Sequence, residues 1–261
     1  MSESVRATAA HGILEVVLDR PKANAIDAAT SRALGRTFAA FCDDPALRVA
    51  IVTGGGEKFF SAGWDLKAAA EGSERPDSDY GVGGFGGLQE LPDLNKPVIA
   101  ALNGMAVGGG FELALSCDLI LAAEHVRFGL PEIKAGTLAD AATIKLPRRI
   151  PYHVAMDLLL TGRWMDVEEA KHWGLVNEIL PADGLLPRAR ELARLLADGP
   201  PLVFAAIKET LRRTEGLPFQ AAMDLVTRKQ LPTVKRLYES DDQLEGARAF
   251  AEKRKPVWRG R

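Results

Sequence analysis

Residues 96–118 read Lys96-Pro97-Val98-Ile99-Ala100-Ala101-Leu102-Asn103-Gly104-Met105-Ala106-Val107-Gly108-Gly109-Gly110-Phe111-Glu112-Leu113-Ala114-Leu115-Ser116-Cys117-Asp118. An apolar run of strand length ends in Asn103-Gly104, a turn pair. Three glycines follow, and the helix-like segment after them opens with a carboxylate, Glu112. Strand, tight turn and helix start are the ingredients of an α/β fold. Without Cβ atoms, a glycine backbone can take φ > 0 and admit a ligand against its N–H groups. A turn that feeds a helix start also presents free donors and the positive end of the helix dipole. That arrangement suits a developing oxyanion. Glu132, after Pro131, is a second carboxylate in an equally apolar setting. Two carboxyls in one dry pocket split their pKa values and divide acid and base work. Taken singly, a glycine triplet is more often a plain loop and a helix-start Glu a dipole partner. The combination with its flanks carries the meaning.

Upstream, Ile13–Leu18 is an apolar run of strand length. Asp27 is placed to cap a helix running to about Asp43, with Ala33, Leu34, Thr37, Phe38 and Phe41 as its apolar stripe. Arg48–Thr53 reads as a short strand, Gly54-Gly55-Gly56 as a turn and Phe59–Leu66 as a loop. Residues 69–87, rich in Ala, Gly, Ser, Asp and Pro, read as a mobile surface segment over a site. Downstream, a short strand is expected near Val126–Gly129 and a last one at Val176–Leu180. Four amphipathic helices are expected at Leu185–Ala197, Pro201–Thr214, Pro218–Tyr238 and Asp241–Glu252. Composition shifts at Gly199-Pro200-Pro201, which divides the chain into a core, 1–199, and a helical part, 200–261.

The 261 residues carry a net charge of −2, which gives no field to draw nucleic acid or an acidic membrane. The longest apolar stretch, near residues 97–123, is interrupted by Asn103, Glu112 and Asp118, so it is no membrane span. Cys42 and Cys117 sit among apolar neighbours as small core residues, and residues 1–10 lack a signal-peptide apolar region. A reducing compartment, the cytoplasm, is the expected setting. The four histidines are scattered without ligand spacing, so no metal is expected. Neither the phosphate-loop nor the dinucleotide spacing accompanies Gly108–Gly110.

The chain resembles the crotonase (enoyl-CoA hydratase/isomerase) superfamily. The resemblance is carried by Lys96–Ala100, Asn103-Gly104, Gly108–Ala114, Cys117-Asp118 and Phe128–Glu132. Asp19–Ala25, Phe59–Leu66, Thr161–Arg163, Trp173–Asn177 and Phe250–Arg254 extend it over nearly the whole chain. Trp64–Gly72 and the tail Pro256–Arg261 mark a narrower subgroup within it. The resemblance implies a spiral of ββα units followed by a helical region that forms trimers or dimers of trimers. It implies reversible addition or loss of water across the α,β bond of an acyl-CoA thioester. No separate cofactor is implied, since coenzyme A arrives with the substrate. Glu112 and Glu132 are the implied acid–base pair, and the N–H groups of Ala62 and Gly109 the implied holders of the thioester oxygen. Lys22, Ala23, Ala62, Gly63, Trp64, Asp65, Leu66 and Gly109 are implied to line the acyl-CoA site. Phe250 and Lys253 of a neighbouring subunit are implied to approach it, and Lys67 and Arg254 are further phosphate candidates. The superfamily usually shows Pro and paired glycines soon after the position of Gly136, where this chain has Leu138-Ala139-Asp140-Ala141-Ala142-Thr143. Alanines favour helix there, so either a remodelled water pocket or impaired handling of water is expected. A general hydratase of fatty-acid breakdown and a catalytically silent acyl-CoA-binding homologue are the rival readings.

Overall fold

The chain opens on a hairpin, β1 (Val5–Ala10) and β2 (Ile13–Leu18), paired antiparallel from Val5–Leu18 to Ala10–Ile13. Its two-residue turn, His11-Gly12, has φ of 52° and 77°, the twist that suits antiparallel strands. The structure is a computed structural model that describes residues 4–75 and 77–261. β3 (Ala25–Ile26) leads into α1 (Ala28–Asp43), where Asp27 accepts the Thr30 N–H at 2.7 Å as expected of its cap. Leu34, Phe38 and Phe41 are the apolar face that α1 buries. Next come β4 (Val49–Gly54), β5 (Phe59–Ser61), β6 (Gly63–Trp64) and α2 (Leu66–Ala70). The stretch quoted at the outset forms β7 (Val98–Leu102), β8 (Met105–Val107) and α3 (Gly109–Leu115). A similar turn follows: β9 (Leu119–Ala123), β10 (Arg127–Gly129) and α4 (Glu132–Ala135). Then come α5 (Asp140–Lys145), α6 (Tyr152–Thr161), β11 (Trp164–Asp166), α7 (Val167–His172) and β12 (Glu178–Leu180). Five helices close the chain: α8 (Leu185–Ala197), α9 (Pro201–Thr214), α10 (Phe219–Thr227), α11 (Pro232–Tyr238) and α12 (Asp242–Ala251).

The large sheet runs β1-β2-β4-β7-β9-β12, parallel from β2 onward. β4 and β7 are buried at every position, which is why their sequences are continuous apolar runs rather than alternating ones. A second sheet, β11-β10-β8-β5, and the pair β3-β6 lie along the same spiral. Each turn of the chain thus gives one strand to the large sheet, one to a small sheet, and then a helix. Asn24 and Asn103 tie the turns together. The Asn24 side chain donates to the carbonyls of Gly55, Phe59 and Phe60 at 2.9–3.2 Å. Asn103 accepts from the Gly54 N–H at 2.9 Å.

Three expectations are corrected. Phe59–Leu66 holds two short strands, not one loop; their partners lie far off in sequence, so no local periodicity marks them. The expected helix Pro218–Tyr238 is two, α10 and α11, because Lys229 turns to φ 50° and Pro232 starts a new helix. The far end of segment 69–87 is packed rather than loose: Gly86 and Gly87 are buried, and the Gly86 N–H donates to Ser31 Oγ of α1 at 3.1 Å. Pro76 of that segment lies outside the described residues.

α8 contributes Leu185, Ala189, Ala193 and Ala197 to the main core. Beyond it, Ala206, Leu231 and Val234 form a small core of their own. The Lys208 ammonium on α9 reaches back to Asp118 at 2.6 Å.

Candidate active site

One cavity of 90 Å³ is walled by residues from four successive parts of the spiral. Trp64 comes from β6, Tyr80, Phe85 and Gln89 from the segment after α2, Gly109 and Glu112 from α3, and Glu132, Thr137, Leu138 and Asp140 from α4 and α5. Both proposed glutamates therefore face one space. Glycine builds it. Gly108 holds φ 53°, and a Cβ there would come within 2.6 Å of Glu132 Oε1. Gly63 holds φ 78°, and a Cβ there would lie 2.6 Å from the Gly109 nitrogen. The backbones of β6 and of the α3 start therefore meet at a distance that no side chain permits.

The two carboxyls are treated differently by the fold. Glu112 is buried, and its carboxylate accepts the Ala142 N–H at 2.8 Å and the Gln89 amide at 3.2 Å. Burial pushes its pKa up, and those two donors pull it back. Glu132 has only its own backbone N–H to pull it down, and its Oε2 is buried without a partner. Burial pushes its pKa to about 7, with the Glu112 and Asp140 charges adding to the rise. Both carboxyls are thus pushed toward the acid by burial, and only Glu112 has donors from neighbouring segments that favour its ionised form. The Leu138–Thr143 segment that departs from the superfamily pattern takes part in this difference. It starts α5, and the N–H of Ala142 in that helix's first turn is the donor to Glu112.

Gly109 is the first residue of α3, so its N–H has no partner within the helix. Ala62 does not fit beside it. Its N–H is donated to the Ala23 carbonyl at 2.9 Å, which consumes it in joining β6 to the β3 region. The Asp65 N–H is likewise donated to Ile26. Successive amides along a strand point to opposite sides, so the Trp64 N–H faces away from β3, on the side where Gly63 meets Gly109. The direction of this amide depends on the β3–β6 pairing, which no local sequence signal announces.

The remaining expected residues lie at graded distances from the cavity. Asp65 caps α2 and is gripped by Arg20 at 2.7 Å, a structural role. Lys22, Leu66 and Lys67 are exposed along the same edge. Phe250 is 87% exposed, and neither it nor Lys253 lines the cavity within one chain. Arg254 is held by Glu245 at 2.5 Å and Glu252 at 2.6 Å. Gln89 belongs to the cavity without having been marked by the sequence, and Asp140 was marked only within the Leu138–Thr143 segment.

Among the described residues, two buried side-chain polar atoms have no partner: Trp64 Nε1 and Glu132 Oε2. Both residues form walls of this cavity. Buried polar atoms are almost always paired, so a water or an incoming polar group in this cavity would find Glu132 Oε2 unclaimed and Trp64 Nε1 with no neighbour but the Tyr80 hydroxyl. The model of the enoyl-CoA hydratase/isomerase family matches residues 8–261.

The chain belongs to that family.

A carnitinyl-CoA dehydratase of Citrobacter koseri is 53% identical over 262 residues, covering all of both chains. One of Salmonella typhi is 54% identical over the same span. Among solved structures, an enoyl-CoA hydratase from Mycobacterium tuberculosis H37Rv matches with a TM-score of 0.89 at 39% identity, again over the full length of both chains. Members of the enoyl-CoA hydratase/isomerase family thus share both this chain's sequence and its spiral. No helix of the described residues is long and apolar enough to cross a membrane.

Proposed function

We propose that this chain adds and removes water across the α,β bond of an acyl-CoA thioester, with crotonobetainyl-CoA and carnitinyl-CoA as the pair. The observation that carries the chemistry is that Glu112 and Glu132 face one cavity beside the α3 start, the first held by two donors from neighbouring segments and the second with a buried oxygen left unpaired. The acyl group follows the full-length relatives and the subgroup resemblance of Trp64–Gly72 and Pro256–Arg261.

In hydration, the ionised Glu112 takes a proton from water as its oxygen bonds to the β-carbon. The π electrons move to the α-carbon and thioester oxygen, and the Glu132 carboxyl then protonates the α-carbon. In dehydration, ionised Glu132 takes the α-proton and protonated Glu112 gives its proton to the departing hydroxyl. One proton stays on the pair in either direction, so no outside acid is consumed. The enolate-like charge between the two proton transfers rests on the N–H groups of Gly109 and Trp64, the latter in place of Ala62. A silent acyl-CoA-binding role would leave the carboxyl pair and its tuned environment without a purpose. The deciding experiment measures turnover of crotonobetainyl-CoA and crotonyl-CoA side by side. Efficient hydration of the first, with slower hydration of the second, is expected. Preference for crotonyl-CoA would move the reading to a general enoyl-CoA hydratase, and turnover of neither would end it.

Coenzyme A is bound as part of the substrate, with Lys22 and the β6–α2 edge facing its nucleotide end. The assembly is a trimer or a dimer of trimers formed through the region after residue 200. Leu211, Phe219 and Ile207 there are at least half exposed, an apolar surface that a lone chain leaves wet. Sedimentation at micromolar concentration should return about three or six times the 28.1 kDa chain mass; a single-chain mass excludes this assembly.

A further inference from the structure

The walls of the cavity hold three carboxyls, Glu112, Glu132 and Asp140, and three aromatic rings, Trp64, Tyr80 and Phe85, but no Lys, Arg or His. A neutral acyl chain needs only the first two carboxyls. Asp140 is exposed, and it has no side-chain hydrogen bond or ion pair within the described residues. Asp140 also borders a neighbouring cavity that contains Lys145, Arg148 and Arg149. None of the three forms an ion pair with it among the described residues: Lys145 points its ammonium at Ser116 Oγ, 2.8 Å away, Arg148 pairs with Glu215 at 2.7 Å, and Arg149 is in no salt bridge with Asp140. The three carboxyls do not form a group able to hold a metal ion among the described residues. The aromatic rings carry no cation of the protein's own. Tyr80 and Phe85 meet edge to face with centroids 5.3 Å apart, and no Lys or Arg of the described residues lies over either ring. A cavity walled by more carboxyls than cations, and by rings that no protein cation claims, is matched to an organic cation.

We propose that Asp140 is the counter-charge, and Tyr80 and Phe85 the ring faces, that select an acyl-CoA whose tail carries a quaternary ammonium. This rests on the reading of the cavity as the acyl site. A quaternary ammonium has no N–H to donate, so hydrogen-bond acceptors gain nothing from it; a nearby charge and π faces do. Asp140 at the first turn of α5 also suits the helix dipole. That role requires only a negative charge near the helix and is indifferent to the ligand, which separates the two roles experimentally.

The test uses two saturated thioesters that cannot be hydrated or dehydrated. One is 4-trimethylammoniobutanoyl-CoA, and the other is 5,5-dimethylhexanoyl-CoA, the same shape with carbon in place of the charged nitrogen. Their dissociation constants are measured by calorimetry on the intact protein. The wild type should bind the cation about tenfold more tightly than the isostere. Asp140→Asn, which keeps the shape, should lose most of that preference, and Phe85→Leu or Tyr80→Leu should lose a further several-fold part. Equal affinity of the wild type for both ligands overturns the proposal, as does a preference unchanged in Asp140→Asn. Because no turnover is involved, failure of the hydratase reading shows in the kinetic comparison and failure of this one in the binding ratio.

Discussion

Glu132→Gln should lower turnover by roughly 10²–10⁴-fold while making the protein harder to melt at pH 8. In the proposed mechanism Glu132 delivers a proton to, or takes one from, the α-carbon, and an amide can do neither. The gain in stability follows from linkage. Burial holds the folded-state pKa at about 7, above the ordinary 4.5. The folded chain therefore binds this proton more tightly than the unfolded chain does. Below the ordinary value both states are protonated and Glu132 is neutral in effect. As pH rises from there through about 7, unfolding is increasingly favoured, and above that the penalty is constant. Gln never ionises and escapes it. Discounted for the partly open cavity, the difference is about 1 kcal/mol, or roughly 2–4 °C in melting temperature. The gain should vanish near pH 4. For the unmodified protein, the working form of the pair carries one proton, so turnover should decline as pH rises beyond about 7. Near-normal turnover of the variant removes Glu132 from the chemistry, and an equal melting gain at pH 4 and pH 8 removes the linkage argument.

The second large effect concerns the Gly109 N–H. Deleting one oxyanion donor typically costs about 10²–10³-fold in turnover. Proline deletes it without costing an intrahelical bond, since the first position of a helix has none to lose. Any side chain at 109 also meets Phe85, whose ring edge lies 2.2 Å from where a Cβ would stand. The comparison is therefore made in a Phe85→Ala background, where Gly109→Ala keeps the N–H and Gly109→Pro lacks it. Turnover of the proline variant should fall at least a hundredfold below that of the alanine variant, as expected for a lost donor. Equal activities would show that the charge develops elsewhere.

The architecture was legible in the sequence where burial is two-sided and the pattern continuous. β4, β7 and β9 and the apolar face of α1 are such cases. Glu112, Glu132 and Gly109 were legible because a glycine turn between apolar runs constrains what can follow it. What escaped depended on pairing between distant segments. β1 escaped because it is an outer strand with five exposed positions. Ala62 and Trp64 differ only in which way an amide points, and that is fixed by β3 lying alongside β6. Asp140 stood out only as part of the Leu138–Thr143 departure, and the composition of the cavity walls is what gives its charge a meaning.

The spiral itself governs when the site can come into being. Its large sheet is parallel from β2 onward, so each pairing closes a long crossover. Contacts of that kind come late and slowly, because the entropy of the loop is spent before the strands reward it. The donors at Trp64 and Gly109 become neighbours only once β6 has docked on the start of α3, and Glu112 acquires its Ala142 partner only once α5 has settled. During refolding, helical signal should therefore return well ahead of activity. A half-wound chain would hold all of its catalytic residues and none of their geometry.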